Sequence, residues 1–168
     1  MIIPILKRIT WALLLLTIQV LILNHVHPWD YGAPLLCPLI VITLPMGISR
    51  SAALLWGFCI GLIADIFAGT AGISSAALTF IAFAQPPILA FMAPRDSDEE
   101  LYPSFSTMGR WNYFQFVALL LLLHHIVYFA LEGFSYFHFT DIFISMLISY
   151  LASLILIVLV EHVRNPQK

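Results

Sequence analysis

The chain has 168 residues, of which 61% are hydrophobic and only 10% are charged, and its mean hydropathy is +0.98. Soluble domains carry about 25% charged residues, so this composition excludes a water-soluble globular protein. The formal net charge of −2 gives no extended basic surface of the kind that binds nucleic acid. We therefore expect an all-α, polytopic membrane protein in which nearly the whole chain crosses the bilayer.

Apolar runs close to the ~20 residues needed to cross a bilayer follow one another along the chain. They predict six transmembrane helices in a single domain covering 1–168, at residues 9–23, 35–48, 51–67, 73–92, 111–131 and 141–160. The first run follows two basic residues as a signal peptide would, but no small-x-small cleavage site comes after it, so we interpret it as a retained anchor. The run at 35–48 is the least regular, because Pro38 and Pro45 remove backbone donors and should bend or break a helix.

The positions of the basic residues test the number of spans. The seven Lys and Arg residues are Lys7, Arg8, Arg50, Arg95, Arg110, Arg164 and Lys168. With six crossings all seven fall on one side, and the opposite loops at 24–34, 68–72 and 132–140 contain none. Cytoplasmic loops are enriched in Lys and Arg, so the pattern predicts that both chain ends are cytoplasmic. Aromatic residues near the predicted interfaces agree with these boundaries: Trp29, Tyr31, Trp111 and Tyr136.

The longest predicted loop, at 94–110, contains a cluster of acidic residues: Asp96, Asp98, Glu99 and Glu100. Two interpretations remain open. The cluster is a solvated loop, which is usual for a short run of charge, or it contacts a basic cytoplasmic partner.

Asp65 is the residue that most needs an explanation, because a carboxylate inside a span is costly unless it is paired, protonated or in contact with water. It shares a helix face with Gly57 and Gly61 at intervals of four residues, so this face can approach another helix closely. Either Asp65 hydrogen-bonds a neighbouring helix and fixes the bundle, or it binds an ion, a substrate or a partner.

His124 and His125 form a second polar group inside a predicted span. At ~1.5 Å per residue they lie ~21 to 23 Å from Arg110, nearly the depth of Asp65 below Arg50. We therefore hypothesise that Asp65 pairs with one of these histidines, and the alternative is that each ring bonds a backbone carbonyl. Three further polar residues lie nearer the ends of spans, where interfacial solvation would explain them: Gln85, Glu132 and Asp141.

Catalytic and metal-binding motifs are missing from the sequence. It has no H-E-x-x-H, no G-x-S-x-G, and no second acid at the depth of Asp65 for an aspartyl dyad. His124 and His125 point ~100° apart on a helix, unlike the i, i+4 pair that binds a metal. We therefore expect a protein that is not an enzyme and that needs neither a cofactor nor a metal.

The predicted hairpin between the third and fourth helices reads G-F-C-I-G-L-I-A-D-I-F-A-G-T-A-G over residues 57–72. It resembles the MreD family of bacterial rod shape-determining membrane proteins, which has a G-L-x-x-D-L pattern, a glycine turn and a following helix. Chain length, number of spans and the long cytoplasmic loop also agree with that family. The family pattern falls on Gly61, Asp65, Gly69 and Gly72.

The resemblance implies a non-enzymatic scaffold of the cell-elongation (rod) complex in the bacterial cytoplasmic membrane. Such a scaffold works with MreC, indirectly with the actin-like MreB, and with the synthase and transpeptidase that extend lateral peptidoglycan. We hypothesise that the hairpin contacts a partner through its motif residues, which are Gly57, Gly61, Asp65, Gly69 and Gly72.

A second class of protein also has six helices and a similar size, namely the substrate-binding component of an energy-coupling-factor vitamin transporter. These components typically carry an Ala-x-x-x-Ala pair on the first helix, whereas here Ala12 is followed four residues later by Leu16. A cavity with convergent polar groups would favour this class, and the candidates to line it are Asp65, His124 and His125.

Overall fold

The computed structural model describes residues 2–25, 32–70, 72–93, 101–133 and 139–164. Helices form the regular secondary structure of these ranges, and none of the described residues lies in a strand. The helices are α1 (Ile2–Leu21), a 3₁₀ turn (Leu23–His25), α2 (Cys37–Ile42), α3 (Arg50–Ala68), α4 (Ile73–Met92), α5 (Phe105–Met108), α6 (Arg110–Gly133) and α7 (Phe139–Arg164). The all-α fold class is therefore confirmed.

Four helices of the described chain are long and apolar enough to cross a membrane, namely α3, α4, α6 and the part of α7 from Thr140 onward. The apolar stretch of α1 is shorter and runs from Arg8 to Leu21. Large apolar side chains on α7 face outward, and Phe143 and Ile155 are 62% and 66% exposed. Outward-facing apolar side chains are favourable where the surrounding medium is lipid. The fold is thus compatible with a multi-pass membrane protein.

Five of the six predicted helices are present, although the one predicted at 9–23 is α1 and runs from Ile2 to Leu21. The helix predicted at 73–92 has these bounds, and those predicted at 51–67, 111–131 and 141–160 extend by one to four residues at each end. Several residues used in the sequence-based predictions lie outside the described residues: Trp29, Tyr31, Arg95, Asp96, Asp98, Glu99, Glu100, Tyr136 and Lys168.

The span predicted at 35–48, whose helix the prolines were expected to bend or break, is interrupted. Only the six residues of α2 are helical, which at ~1.5 Å per residue is far shorter than a ~30 Å hydrocarbon core. Pro38 lies in the first turn of α2, where its missing N–H is tolerated, and Pro45 follows the helix end. Residues 32–36 and 43–49 on either side are non-helical. We call residues 32–49 the broken segment.

The broken segment lies in the centre of the bundle. All six residues of α2 are buried, and α2 contacts α1, α3, α4 and α6. Leu36 and Leu44, which flank α2, are each 1% exposed. Non-helical backbone is tolerated at membrane depth only where protein or water satisfies its polar groups, so the surrounding helices must supply hydrogen bonds.

Candidate functional site

Gly57 and Gly61 lie where α3 and α4 approach each other most closely. A Cβ atom on Gly57 would lie 2.7 Å from the carbonyl oxygen of Leu78, and one on Gly61 would lie 2.6 Å from the backbone nitrogen of Ser75. Real Cβ atoms do not approach other heavy atoms so closely, and the obstacles are backbone atoms that cannot rotate away. The small face predicted for this helix is therefore its contact surface with α4.

Gly69 and Gly72 form the turn between α3 and α4. Their φ angles are +69° and +83°, in the left-handed region that other L-residues adopt only at a cost of roughly 1–2 kcal/mol. No heavy atom lies within 4 Å of a Cβ atom built at either position. The backbone conformation, and not a lack of space, therefore favours glycine at both ends of this turn.

Asp65 connects the end of α3 to the start of α4. It is 3% exposed, and each carboxylate oxygen accepts two hydrogen bonds. Oδ1 accepts from Thr70 Oγ1 at 2.5 Å and from the Ser74 N–H at 2.8 Å. Oδ2 accepts from the Ser75 N–H at 2.8 Å and from Ser75 Oγ at 2.6 Å. The first N–H groups of a helix lack partners within it, and its dipole favours an anion there, so Asp65 caps α4.

This geometry supports the first interpretation of Asp65, that it hydrogen-bonds a neighbouring helix. The predicted pairing with a histidine is not formed, because no hydrogen bond or ion pair joins Asp65 to His124 or His125. A carboxylate has about four acceptor positions, and four donors from the hairpin already occupy them.

His125 belongs to a different polar network, which links α6 to α7. Its Nδ1 lies 2.9 Å from the carbonyl oxygen of Leu121, in agreement with the alternative of a backbone partner. Its Nε2 lies 3.4 Å from the hydroxyl oxygens of both Ser149 and Ser153. His125 is 0% exposed, so this network lies entirely inside the bundle.

The two serines also bind the broken segment. Ser149 Oγ donates to the carbonyl oxygen of Ala33 at 2.5 Å, and Ser153 Oγ accepts from the Leu35 N–H at 2.7 Å. Both side chains are 0% exposed, although α7 is otherwise largely exposed. They lie four residues apart on one face of α7, and this i, i+4 spacing is the sequence signal that could have indicated the face.

Two glutamines complete the binding of the broken segment. Gln19 of α1 accepts from the Leu36 N–H at 2.6 Å and donates to the carbonyl oxygen of Pro34 at 3.2 Å. Gln85 of α4 donates to the carbonyl oxygen of Leu44 at 2.9 Å. Gln85 is 0% exposed, so the expectation that interfacial water solvates it is wrong. Side chains from α1, α4 and α7 thus supply the hydrogen bonds that the missing helical turns would have made.

A cavity of about 460 Å³ lies beside the first half of the broken segment; we call it the outer cavity. Its walls come from the end of α1, residues 32–38, the ends of α3 and α4 at their turn, and the second half of α6. The polar side chains that line it are Gln19, Asn24, Thr70, Ser74, His124, Tyr128 and Glu132. Phe67, Leu78 and Phe129 contribute apolar wall, and no Lys or Arg is among the described residues that line the cavity.

Three of these side chains form a row along α6. His124, Tyr128 and Glu132 are four residues apart, so they lie on one helix face over ~12 Å at 1.5 Å per residue. The rings of His124 and Tyr128 stack, with centroids 5.9 Å apart. None of the three makes a hydrogen bond to a described residue, and the buried Nδ1 of His124 has no partner. The sequence analysis singled out His124 from its depth but missed Tyr128. The i, i+4 spacing from His124 is the signal that could have identified it.

The outer cavity offers hydrogen-bonding groups to a small molecule, whereas the described residues contain no group of three His, Cys, Asp or Glu side chains that could hold a metal ion. The contacts within the hairpin, its sequence pattern and the outer cavity are the features of this chain that bear on its function. Comparison with known proteins gave no match, either to a protein-family model, to a curated protein or to a solved structure.

Proposed function

We propose that this chain is a non-enzymatic, multi-pass scaffold of the bacterial cytoplasmic membrane that supports cell elongation and lateral peptidoglycan synthesis. The observation that carries the proposal is the α3–α4 hairpin, whose sequence resembles the MreD pattern. Gly57 and Gly61 allow α3 to pack closely on the backbone of α4, and Asp65 accepts hydrogen bonds from the first turn of α4. A rigid hairpin of this kind suits a protein that presents a fixed surface to its partners.

We infer six crossings, with both ends in the cytoplasm. Four crossings are supplied by α3, α4, α6 and α7, and the other two by α1 and the broken segment. The guanidinium of Arg164 lies 5.6 Å from the ring centroid of Trp11, three residues after Arg8, so the last turn of α7 lies beside the first half of α1. Arg50 and Arg110 begin α3 and α6, at the ends remote from the outer cavity. These basic residues therefore lie at the same end of the bundle, which supports a cytoplasmic location for that end.

The partner surface that we propose is the outer face of α3, on the side of the hairpin away from α4. It consists of apolar side chains spaced three or four residues apart and between 44% and 69% exposed: Leu55, Phe58, Leu62 and Ile66. Gly57, Gly61 and Asp65 are buried against α4 and act on a partner only through the position they give this face. The partners are those of the rod complex, with MreC and the wall synthase and transpeptidase in direct contact and MreB indirectly.

Photo-crosslinking in the native host tests this proposal. A photoreactive amino acid replaces Leu62 on the outer α3 face, and a matched control replaces Leu151, which is similarly exposed on α7, at 49% against 44%. We expect the Leu62 position to capture MreC or the wall synthase and the Leu151 position to capture neither. Equal capture from both positions, or none from Leu62 at normal protein levels, would count against a scaffold that uses this face.

The outer cavity favours a second candidate, the substrate-binding component of an energy-coupling-factor transporter. Its polar lining, beside a broken helical segment, has the arrangement found where membrane proteins bind solutes. The same crosslinking experiment separates the two candidates. Capture of a cytoplasmic ATPase pair together with a coupling subunit would support the transporter and remove the scaffold.

A further inference from the structure

We propose that the outer cavity binds a small organic molecule through a protonated amine, which pairs with the carboxylate of Glu132. This site goes beyond the scaffold function and does not depend on it. The inference combines the size of the cavity, the unpartnered polar atoms on its wall, and the charge and aromatic character of its lining.

The size of the cavity suits a small molecule. Its volume of about 460 Å³ lies within the range of roughly 300–1,000 Å³ that is usual for ligand pockets. The row from His124 to Glu132 is ~12 Å long, since eight residues of helix rise 1.5 Å each. The cavity therefore accepts an elongated molecule with one polar end near Glu132 and a second near His124.

Three polar side chains that line the cavity have atoms without a hydrogen-bond partner among the described residues. His124 is 2% exposed, and its Nδ1 makes no hydrogen bond. The hydroxyls of Ser74 and Tyr128 make none to a described residue, although both residues line the cavity. Buried polar groups in native proteins are nearly always satisfied, and a group left unpaired calls for an explanation. A bound molecule with a hydroxyl or carbonyl group would offer hydrogen-bond partners to the Ser74 and Tyr128 hydroxyls on the wall.

The charge and the aromatic residues of the cavity lining favour a cationic ligand. In the part of the chain that the structure describes, the half-buried carboxylate of Glu132 has no hydrogen-bond or ion-pair partner, and no Lys or Arg lines the cavity to neutralise it. Three aromatic residues, Phe67, Tyr128 and Phe129, line the cavity, and aromatic rings attract ammonium groups. A bare Mg²⁺ or Ca²⁺ ion would require several oxygen ligands, whereas one carboxylate and aromatic walls suit an organic amine.

The ammonium group has two possible sources, a free amine or the headgroup of an ethanolamine phospholipid. Both would place the same –NH₃⁺ group against Glu132. Nanodiscs of two compositions distinguish them, one with phosphatidylglycerol alone and one that also contains phosphatidylethanolamine.

The test uses tyramine as the probe, because it carries an ammonium group at one end and a phenol at the other. Binding of labelled tyramine is measured by equilibrium dialysis with the full chain in phosphatidylglycerol nanodiscs. 4-Ethylphenol, which lacks the amine, serves as the matched ligand control. Glu132→Gln removes the charge with little change of shape, and Asp141→Asn removes an exposed carboxylate at the start of α7 that does not line the cavity.

We expect saturable tyramine binding that Glu132→Gln weakens about tenfold, the equivalent of one lost charge pair, and that Asp141→Asn leaves unchanged. Unlabelled 4-ethylphenol should compete at least about tenfold less well than unlabelled tyramine. Weaker tyramine binding in the phosphatidylethanolamine nanodiscs would identify the lipid headgroup as the source, and equal binding would identify a free amine. Absence of saturable binding to a folded wild-type chain, equal competition by 4-ethylphenol, or an unaffected Glu132→Gln variant would overturn the proposal.

Discussion

Replacing Asp65 by asparagine tests whether this carboxylate holds the hairpin together. The amide keeps one oxygen and the shape of the side chain, but its nitrogen is a donor. The nitrogen takes the place of one of the two carboxylate oxygens. In either place it faces two donors from the hairpin, a hydroxyl and a backbone N–H of Ser74 or Ser75. The hydroxyl can turn and accept from the amide nitrogen, so the substitution removes the hydrogen bond of that backbone N–H and leaves it without an acceptor.

The magnitude follows from these contacts. A hydrogen bond to a charged group contributes about 1.5–3 kcal/mol, so one lost bond corresponds to roughly that range. We expect a value near the upper end, about 3 kcal/mol, because the hydrogen bonds that remain no longer involve a charged acceptor. A loss of this size is a large fraction of the roughly 5–15 kcal/mol by which folded proteins are stable.

Unfolding in mixed micelles, with the fraction of dodecyl sulfate raised stepwise and tryptophan fluorescence as the signal, measures this free energy. The control is Asp141→Asn, which removes an exposed carboxylate in the first turn of α7 and should lower the free energy of unfolding by no more than about 1 kcal/mol. A free energy of unfolding for Asp65→Asn within about 1 kcal/mol of wild type would refute the capping argument.

A double-mutant cycle with Asp65→Asn and His125→Gln tests whether the carboxylate and the histidine interact. The two side chains share no partner, so the effects of the single substitutions should add within about 0.5 kcal/mol. A coupling free energy above about 1 kcal/mol would instead restore the pairing that their matching depth suggested.

Two further predictions use the same measurement. Gly61→Ala should destabilise more than Gly69→Ala, because the first forces a Cβ atom against backbone while the second adds only a left-handed strain of about 1–2 kcal/mol; the reverse order would contradict the packing argument. Gln19→Leu should cost about 1–3 kcal/mol, because the buried N–H of Leu36 loses its acceptor. Thr17→Val, which removes an exposed hydroxyl bonded within α1, is its control, and equal losses would contradict a special role for Gln19.

The hairpin could be predicted from the sequence almost completely. Helical periodicity and the glycines gave its bounds, and the spacing of Gly57, Gly61 and Asp65 indicated the face that packs. The partner of Asp65 remained open, because depth along two helices fixes neither their rotation nor which side chains meet. The signal for the cap was local: a four-residue turn brings the first N–H groups of α4 back to the last turn of α3.

The broken segment could be predicted only in part. Pro38 and Pro45 indicated an interrupted helix. Proline has no backbone N–H and its ring clashes with the preceding turn, and α2 between them has only six residues. The side chains that replace the lost hydrogen bonds come from distant parts of the chain, such as Gln19 before the segment and Ser149 and Ser153 more than 100 residues after it. A single sequence does not indicate which polar residue of one helix binds the backbone of another.

Two adjacent histidines of α6 differ in whether their ring nitrogens have hydrogen-bond partners. His125 and His124 are adjacent and both buried, yet His125 lies within hydrogen-bonding distance of partners on α6 and α7 while Nδ1 of His124 has none. The difference arises because adjacent residues point ~100° apart, so that one ring enters the polar network around the broken segment and the other enters the outer cavity. Tyr128 and Glu132 follow His124 on its face and likewise make no hydrogen bond to a described residue. A structural role therefore accounts for His125, and a ligand in the cavity would account for the face that begins with His124.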